Sequence, residues 1–187
     1  YQICDDFIKI MGQALQKYGI TVADRQLCCA PLNSKEGRDY FKAMCAAANY
    51  AKANRQVITH GIRNAFERVL SSGPQELGMS VVYDISHNIA KVETHSFKAK
   101  QVNVCVHRKG ATRAFPAGHP DVPSVYRHVG QPVLVPGSMG TFSYVLVGTP
   151  RAMQETFGSV CHGAGRLMSR TEALKTVRGD NLRDEMK

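Results

Sequence analysis

The segment of this chain with the clearest chemical potential is Cys161-His162-Gly163-Ala164-Gly165-Arg166. It places a histidine beside small residues, where the backbone can approach a ligand closely. Free N–H groups of a loop that leads into a helix form a pocket for anions. Arg170 follows four residues after Arg166, so both share one face if a helix begins by Arg166, and arginine forks match phosphate geometry. We interpret His162 as a nucleophile or ligand beside a phosphate site, in preference to a tight turn in which His162 and Cys161 merely pack.

A second candidate is His87, in the run Asp84-Ile85-Ser86-His87-Asn88 that follows a predicted strand. Loops at strand ends often hold catalytic or metal-binding groups, and neutral imidazole is a common ligand of transition metals. One histidine does not form a metal site, and no second histidine stands nearby at ligand spacing. On residue types alone, a hydrogen-bonded structural histidine is the favoured interpretation.

Two further segments could contact phosphate or nucleotide. Gly137-Ser138-Met139-Gly140-Thr141, flanked by Pro136 and Ser143, could cradle a nucleotide. It lacks the ending of a Walker loop and the helix of a dinucleotide fingerprint, so a glycine-rich hairpin describes it equally well. The basic run His107-Arg108-Lys109-Gly110-Ala111-Thr112-Arg113 suits phosphate contacts, although a solvated basic loop is the commoner interpretation.

Composition narrows the class of protein. The chain has 187 residues, 43% of them hydrophobic, which is enough for a core, and no apolar run approaches the length of a membrane span. Its net charge of +9 favours polyanionic partners, although a scattered surplus on a basic protein explains it equally well. The six cysteines form no Cys-x-x-Cys pair, and Cys28 and Cys29 are adjacent, so reduced thiols in a cytoplasmic protein fit best.

The elements that must position these residues fall into two groups. Apolar spacing predicts a helix from Ile3 to Tyr18, ended by Gly19. It predicts a second from Lys35 to about Leu70, begun by Asn33-Ser34, with a break or kink near 49–55. Strands are predicted at 80–85, 90–97, 101–107, 132–136 and 144–147, loops at 108–130 and 158–166, and helices at 150–156 and 167–177. Helices that precede strands predict an α+β fold with a mainly antiparallel β core.

Taken together, the segments resemble the RtcB family of RNA-splicing ligases, in order and over nearly the whole chain. The similar segments are Asp24-Arg25-Gln26-Leu27, Ala53-Asn54-Arg55-Gln56, Asp84-Ile85-Ser86-His87-Asn88-Ile89-Ala90-Lys91, Val106-His107-Arg108-Lys109-Gly110-Ala111-Thr112-Arg113-Ala114, Gly130-Gln131-Pro132-Val133-Leu134-Val135-Pro136-Gly137-Ser138-Met139-Gly140-Thr141 and Cys161-His162-Gly163-Ala164-Gly165-Arg166.

The resemblance implies an RNA ligase that depends on GTP and Mn²⁺. It would join a 2′,3′-cyclic phosphate or 3′-phosphate end to a 5′-hydroxyl end through a histidine–GMP intermediate at His162. It further implies that His87 is a manganese ligand and that Arg166 and Arg170 meet RNA phosphate. The residues implied to contact the nucleotide are Asn88, Pro136, Gly137, Ser138, Met139, Ser143, His162, Gly163, Ala164 and Gly165.

The resemblance also bounds what this chain should do alone. The family's other metal ligands, an Asp, a Cys and two His, should lie before Tyr1, and a lysine that contacts guanine should lie beyond Lys187. We therefore expect residues 1–187 to form one catalytic-domain fragment, with a helical part at 1–73 and a β-rich part at 80–177, that is inactive as a ligase by itself.

The expected partners are RNA, such as tRNA exon halves or other cleaved RNA, and GTP; an activating protein is a further candidate, and no membrane is involved. Two alternatives stay open. One is a basic nucleic-acid-binding module without catalysis. The other is a metal-dependent phosphoesterase that uses His87 and His162.

Overall fold

The computed structural model describes residues 2–137, 141–163, 168 and 170–176, the side chain of Arg170 excepted. The chain forms two compact units, residues 1–84 and 85–187. Helices occupy the first unit, whereas antiparallel strands and short helices occupy the second, which confirms the predicted α+β class. The expectation of one catalytic domain stays a prediction.

Two helices build the first unit. Helix α1 is Gln2–Lys17 and helix α2 is Lys35–Leu70. The hydroxyl of Ser34 accepts the N–H of Gly37 at 3.0 Å, which confirms the predicted start of α2. The predicted break near 49–55 is wrong, because α2 is continuous over 36 residues. The stretch lacks glycine and proline, and its alanines favour helix while most of its polar residues face solvent.

Contacts at the N-terminal end of α2 hold α1 against it. The rings of Phe7 and Tyr40 meet edge to face, with centroids 5.5 Å apart. Lys17 Nζ and the hydroxyl of Tyr18 donate to the two carboxylate oxygens of Glu36 at 2.7 and 2.9 Å. A single acidic side chain on α2 therefore anchors the last turn of α1 and the residue that follows it.

The segment 80–85, which was predicted to be a strand, joins no sheet among the described residues, so that prediction is wrong. Arginine side chains of α2 fix this segment instead. Arg63 Nη2 donates to the carbonyl of Met79 at 3.0 Å, and Arg55 forms a two-bond ion pair with Asp84, whose Nη2–Oδ2 distance is 3.1 Å. The β-branched run satisfied the strand pattern, but tertiary contacts decided its conformation.

The second unit contains three two-stranded antiparallel sheets in its described residues. Strands β1 (Asn88–Phe97) and β2 (Lys100–Lys109) form a hairpin, β4 (Pro132–Val135) pairs with β5 (Tyr144–Val147), and β3 (Ala111–Arg113) pairs with β6 (Ser159–Cys161). Helix α3 is Pro150–Thr156 and helix α4 is Arg170–Thr176. The β1, β2, β4, β5 and α3 predictions are confirmed.

The two predicted loops at 108–130 and 158–166 are partly wrong, because each contributes a short strand. These strands, β3 and β6, pair with each other and are three residues long. Such a length is too short to show the alternation that marks a strand, and glycines stand beside both. Only the long-range pairing identifies them.

The core of the second unit contains polar as well as apolar side chains. Phe115, Val122 and Val133 are each at most 1% exposed. Glu93, His95, Arg108, Thr112 and Gln131 are also buried. Buried charges are tolerated when they are paired and hydrogen-bonded, so Glu93, His95 and Arg108 are expected to fix specific geometry.

Two classes of feature are absent from the described residues. No helix there combines the length and the apolar character that crossing a bilayer requires. Disulfide bonds are also absent there, because the six cysteines all lie within the described ranges and are free thiols.

Candidate active site around two stacked histidines

A short sheet fixes the backbone of His162. Strand β6 pairs with β3 so that Cys161 lies opposite Ala111. Immediately after β6, the N–H of His162 donates to the carbonyl of Gly110 at 2.9 Å. The histidine therefore leaves the sheet at a defined position.

The ring of His162 is fixed by a second backbone group. Its Nδ1 lies 3.1 Å from the carbonyl oxygen of Leu134 in β4. A carbonyl oxygen only accepts hydrogen bonds, so Nδ1 carries a proton and donates it. In the neutral ring, Nε2 then holds the lone pair and is the nitrogen available to attack an electrophile or bind a metal.

The ring of His87 lies face to face with that of His162. Their centroids are 4.2 Å apart and their planes differ by 10°. The carbonyl of His87 accepts the N–H of Ala111 at 3.3 Å, next to the Gly110 carbonyl that holds His162. One backbone segment, 110–111, thus fixes both histidines, although 75 positions separate them in the sequence.

Asn88 belongs to the same arrangement. Its side-chain oxygen accepts the N–H of Gly110 at 3.0 Å, while the residue itself is exposed. Gly110 has a φ of 66°, which favours glycine, and it joins β2 to β3. The turn at Gly110 therefore binds Asn88 through its N–H and His162 through its carbonyl.

The glycine-bearing loop after β4 begins beside His162. Ser143 Oγ accepts the N–H of Gly137 at 3.0 Å, which closes the base of this loop. A Cβ added to Gly163 would lie 3.9 Å from the carbonyl oxygen of Pro136. The nucleophile candidate and the candidate nucleotide loop are therefore neighbours.

The comparison with known proteins shows which family this sequence matches. The family described as tRNA-splicing ligase RtcB matches residues 1–187.

The chain belongs to the RtcB family.

Relatives named tRNA-splicing ligase RtcB support this assignment. Those of Archaeoglobus fulgidus and Thermococcus kodakarensis are 56% and 58% identical over 186 residues, which is 100% of this chain. The relative of Aeropyrum pernix is 47% identical over 186 residues. The chain spans about two fifths of these RtcB proteins, 39% of the first two and 38% of the third.

Several residues that the RtcB resemblance singled out lie outside the described residues. These are Ser138, Met139, Ala164, Gly165 and Arg166. Arg170 is the first residue of α4, and its side chain is not described. The proposed sharing of a helix face by Arg166 and Arg170 therefore stays a prediction.

Manganese, which the RtcB resemblance implies, can be tested against the donors of this chain. His87 is exposed and offers an imidazole, a donor that suits transition metals. The described residues contain no group of three or more His, Cys, Asp or Glu that could hold a metal ion. The donor type fits, and a complete site would need ligands from outside those residues.

The interpretation of the basic run 107–113 needs correction at Arg108. This arginine is neither a phosphate contact nor solvated, because it is 3% exposed. Its guanidinium forms two bonds with the buried carboxylate of Glu93, at 2.7 and 2.8 Å. Arg113 is partly buried and donates to Gln131 Oε1 at 3.1 Å. Lys109 and His107 are the exposed basic residues of the run.

Sequence reasoning missed the two carbonyls that hold His162. Gly110 was read as part of a basic loop and Leu134 as part of a strand. A backbone carbonyl acts through position and not through its side chain, so no residue type marked either one. The glycine at 110 was the only available signal, since a turn there brings β2 and β3 together.

Proposed function

We propose that this chain provides the guanylate-transfer part of an RNA ligase of the RtcB type. The whole protein would join RNA ends that bear a 2′,3′-cyclic phosphate or 3′-phosphate to 5′-hydroxyl ends. One observation carries the proposal: the ring of His162 donates from Nδ1 to Leu134 while its face lies on His87. This arrangement holds a nucleophilic nitrogen beside a second imidazole that suits a metal.

The first step would transfer GMP to the protein. The Nε2 lone pair of His162 attacks the α-phosphorus of GTP, an N–P bond forms, and pyrophosphate leaves with the electrons of the broken P–O bond. The ring becomes positively charged, and its Nδ1–H bond to the Leu134 carbonyl strengthens because the donor is now cationic. That carbonyl would stabilise the charge and keep the ring in one orientation.

The next steps would seal the RNA. An oxygen of the RNA 3′-phosphate attacks the guanylate phosphorus, and Nε2 leaves with its electron pair, which restores neutral His162. The 5′-hydroxyl then attacks the activated 3′-phosphorus, loses its proton, and displaces GMP. The first two steps convert the RNA 3′-phosphate into an activated phosphate whose leaving group is GMP, which is the benefit of a covalent intermediate.

The surroundings of His162 would serve the anionic substrates. Gly163 and Pro136 lie next to each other, so the nucleotide would lie between the His162 loop and the loop after β4. Mn²⁺ bound at His87 would neutralise phosphate charge. The net charge of +9 suits RNA such as tRNA exon halves, and an activating protein could promote guanylate transfer.

The test is a labelling experiment on a chimaera. This chain would replace the matching region of the Thermococcus kodakarensis relative, 58% identical, so that the remainder of an RtcB protein is present. With GTP labelled at the α-phosphate and Mn²⁺, we expect a labelled protein, and His162→Ala should abolish the label. His128→Ala, a histidine outside the site, is the matched control and should leave it unchanged.

Other outcomes would favour the alternatives. RNA binding without any label would indicate a non-catalytic binding module, and hydrolysis without a protein adduct would indicate a phosphoesterase. The 187-residue chain alone should give no ligation. Sealing of RNA by this chain would contradict the proposal that some of the metal ligands lie outside it.

Arg170 gives a separate test of the RNA side. In the chimaera, Arg170→Ala should weaken RNA binding and spare guanylation, because the arginine is proposed to meet RNA phosphate. The two measurements are a filter-binding titration and the same GTP labelling assay. Equal loss of both would overturn the role proposed for Arg170.

A further inference from the structure

Arg108 contacts the turn from which the His162 strand starts. Its Nε donates to Ser159 Oγ at 2.9 Å, and its Nη2 donates to the carbonyl of Phe157, also at 2.9 Å. Phe157 directly follows α3, and Ser159 begins β6, which leads to His162 three residues later. A buried guanidinium on β2 therefore binds the turn between α3 and β6.

Glu93 holds the guanidinium in place. Its carboxylate receives two bonds from Arg108 and one from His95 Nε2, the latter at 3.0 Å. Burial raises the pKa of Glu93, but the hydrogen bonds from Arg108 and His95 outweigh it, so the pKa lies below its ordinary value and the carboxylate stays ionised. The guanidinium is thereby oriented with its remaining donors toward the turn.

The turn itself has an unusual backbone. Phe157 has a φ of 52° and Gly158 a φ of 60°. The carbonyl of Gly158 accepts the N–H of Ala114 at 2.7 Å, so the main chain fixes one side of the turn. The rings of Phe157 and His95 meet edge to face, with centroids 5.2 Å apart. Arg108 supplies the bonds on the other side, to a carbonyl and a hydroxyl.

We propose that Arg108, oriented by Glu93, is a positioning residue for His162. It acts through the Phe157–Ser159 turn, which sets where β6 begins and hence where His162 meets Gly110 and Leu134. The catalytic consequence rests on the proposed function, whereas the geometric consequence does not. A lysine keeps the charge but has no planar fork, so it cannot bind Glu93, Ser159 and Phe157 together.

The geometric test uses the 187-residue chain labelled with ¹⁵N-histidine. In the wild type, ring nitrogen shifts should show His162 as the tautomer protonated at Nδ1, with the signal assigned by its loss in His162→Ala. In Arg108→Lys, we expect a mixture of tautomers or exchange broadening at His162. Arg127→Lys is the matched control, because Arg127 binds the carbonyls of Pro120 and Val122 instead.

Ser159→Ala keeps the test decisive if Arg108→Lys does not fold. It removes one acceptor on the turn and leaves the Arg108–Glu93 pair intact, so a smaller shift toward the second tautomer is expected. An unchanged His162 signal in whichever variant folds would overturn the positioning role.

The catalytic test uses the chimaera under single-turnover conditions. A misplacement of about 1 Å can cost about 10²-fold in rate, so Arg108→Lys should slow guanylation by roughly tenfold to 10²-fold with little change in the GTP concentration that gives half-maximal rate. Arg127→Lys should match the wild type. If the wild-type chimaera is labelled and the Arg108→Lys variant is labelled equally fast, the positioning role is refuted. If the wild-type chimaera is not labelled at all, only the proposed function is refuted.

Discussion

The two units of this chain differ in what stabilises them. In the β unit, Phe115 and Val133 are 1% exposed and an ion pair between Glu93 and Arg108 is buried beneath the site. In the helical unit, the buried hydrophobic residues are Met11 and Ala14.

Helix α2 shows the contrast most clearly. An apolar stripe on its C-terminal half consists of Ile58, Ile62, Phe66 and Val69, which are 52%, 48%, 47% and 80% exposed. Dense packing thus coincides with the place where the two histidines lie, whereas contacts between α1 and α2 include a part-exposed pair, Lys17–Glu36. In this chain, buried packing therefore lies around the candidate site and not along the longest element.

The largest expected effect is in the β core. Phe115→Ala removes a fully buried ring that contacts His95, His119 and the guanidinium of Arg113, so unfolding free energy should fall by about 3–5 kcal/mol. Phe142, which is 81% exposed, is the matched control, and Phe142→Ala should stay within about 0.5 kcal/mol. Urea denaturation measures both. Similar losses for the two would mean that the β unit has no distinct core.

The next effect concerns the turn before β6. At Gly158, φ is 60° and an added Cβ would lie 2.5 Å from Phe115 Cδ1 and 2.7 Å from Met153 Sδ. Gly158→Ala should therefore cost about 2–4 kcal/mol, from backbone strain and overpacking together. Gly118 has a φ of 81° with nothing within 4 Å of its Cβ position, so Gly118→Ala isolates the strain, at roughly 1 kcal/mol. Equal costs in urea titrations would show that the turn is not tightly packed.

Much of this fold could be predicted because its longer elements carry strong local signals. Ser34 marked the start of α2, and the strands predicted at 90–97 and 101–107 correspond to β1 and β2. The strand expected at 80–85 failed because tertiary contacts outweighed the local pattern. The break expected at 49–55 failed because the alanines of that stretch favour helix. Arg55 and Arg63 bind the first segment, and nothing in its sequence names those partners.

For the candidate site, the structure shows only where some of the predicted side chains lie. Residue types singled out His162 and His87 as candidates, and the resemblance implied their roles. The structure brings their rings together, while the roles stay predictions. The carbonyls of Gly110 and Leu134 could not be foreseen, since a backbone acceptor has no residue type. Arg108 was misinterpreted because a basic run is normally solvated, and its burial follows from a carboxylate fifteen residues away on the paired strand.

A smaller loss of stability is expected in the helical unit when the pH is lowered. The hydrogen bonds from Lys17, its own backbone and Tyr18 lower the pKa of Glu36 to about 2 from its ordinary value of 4.5. Because the pKa is lowered on folding, ionised Glu36 stabilises the fold at pH values above its ordinary pKa. That contribution is lost as the pH falls from about 4.5 to about 2. The signal of Phe7 or Tyr40 in NMR should report loosening of α1 over this window. Glu36→Gln should remove the pH dependence, and a transition that persists in this variant would assign it to another carboxylate.

The smallest effect should come from the exposed side of α2. Val57 is 68% exposed in the middle of this helix, so replacing it removes little buried surface. Glutamine is the better helix former because it is not β-branched, and Val57→Gln should leave stability unchanged or raise it by up to about 0.5 kcal/mol. Helical circular dichroism during urea denaturation of the 187-residue chain is the measurement. A loss above about 1 kcal/mol would mean that another part of the protein packs on this side of α2. The helical unit would then be packed as well, and the contrast in packing between the two units would disappear.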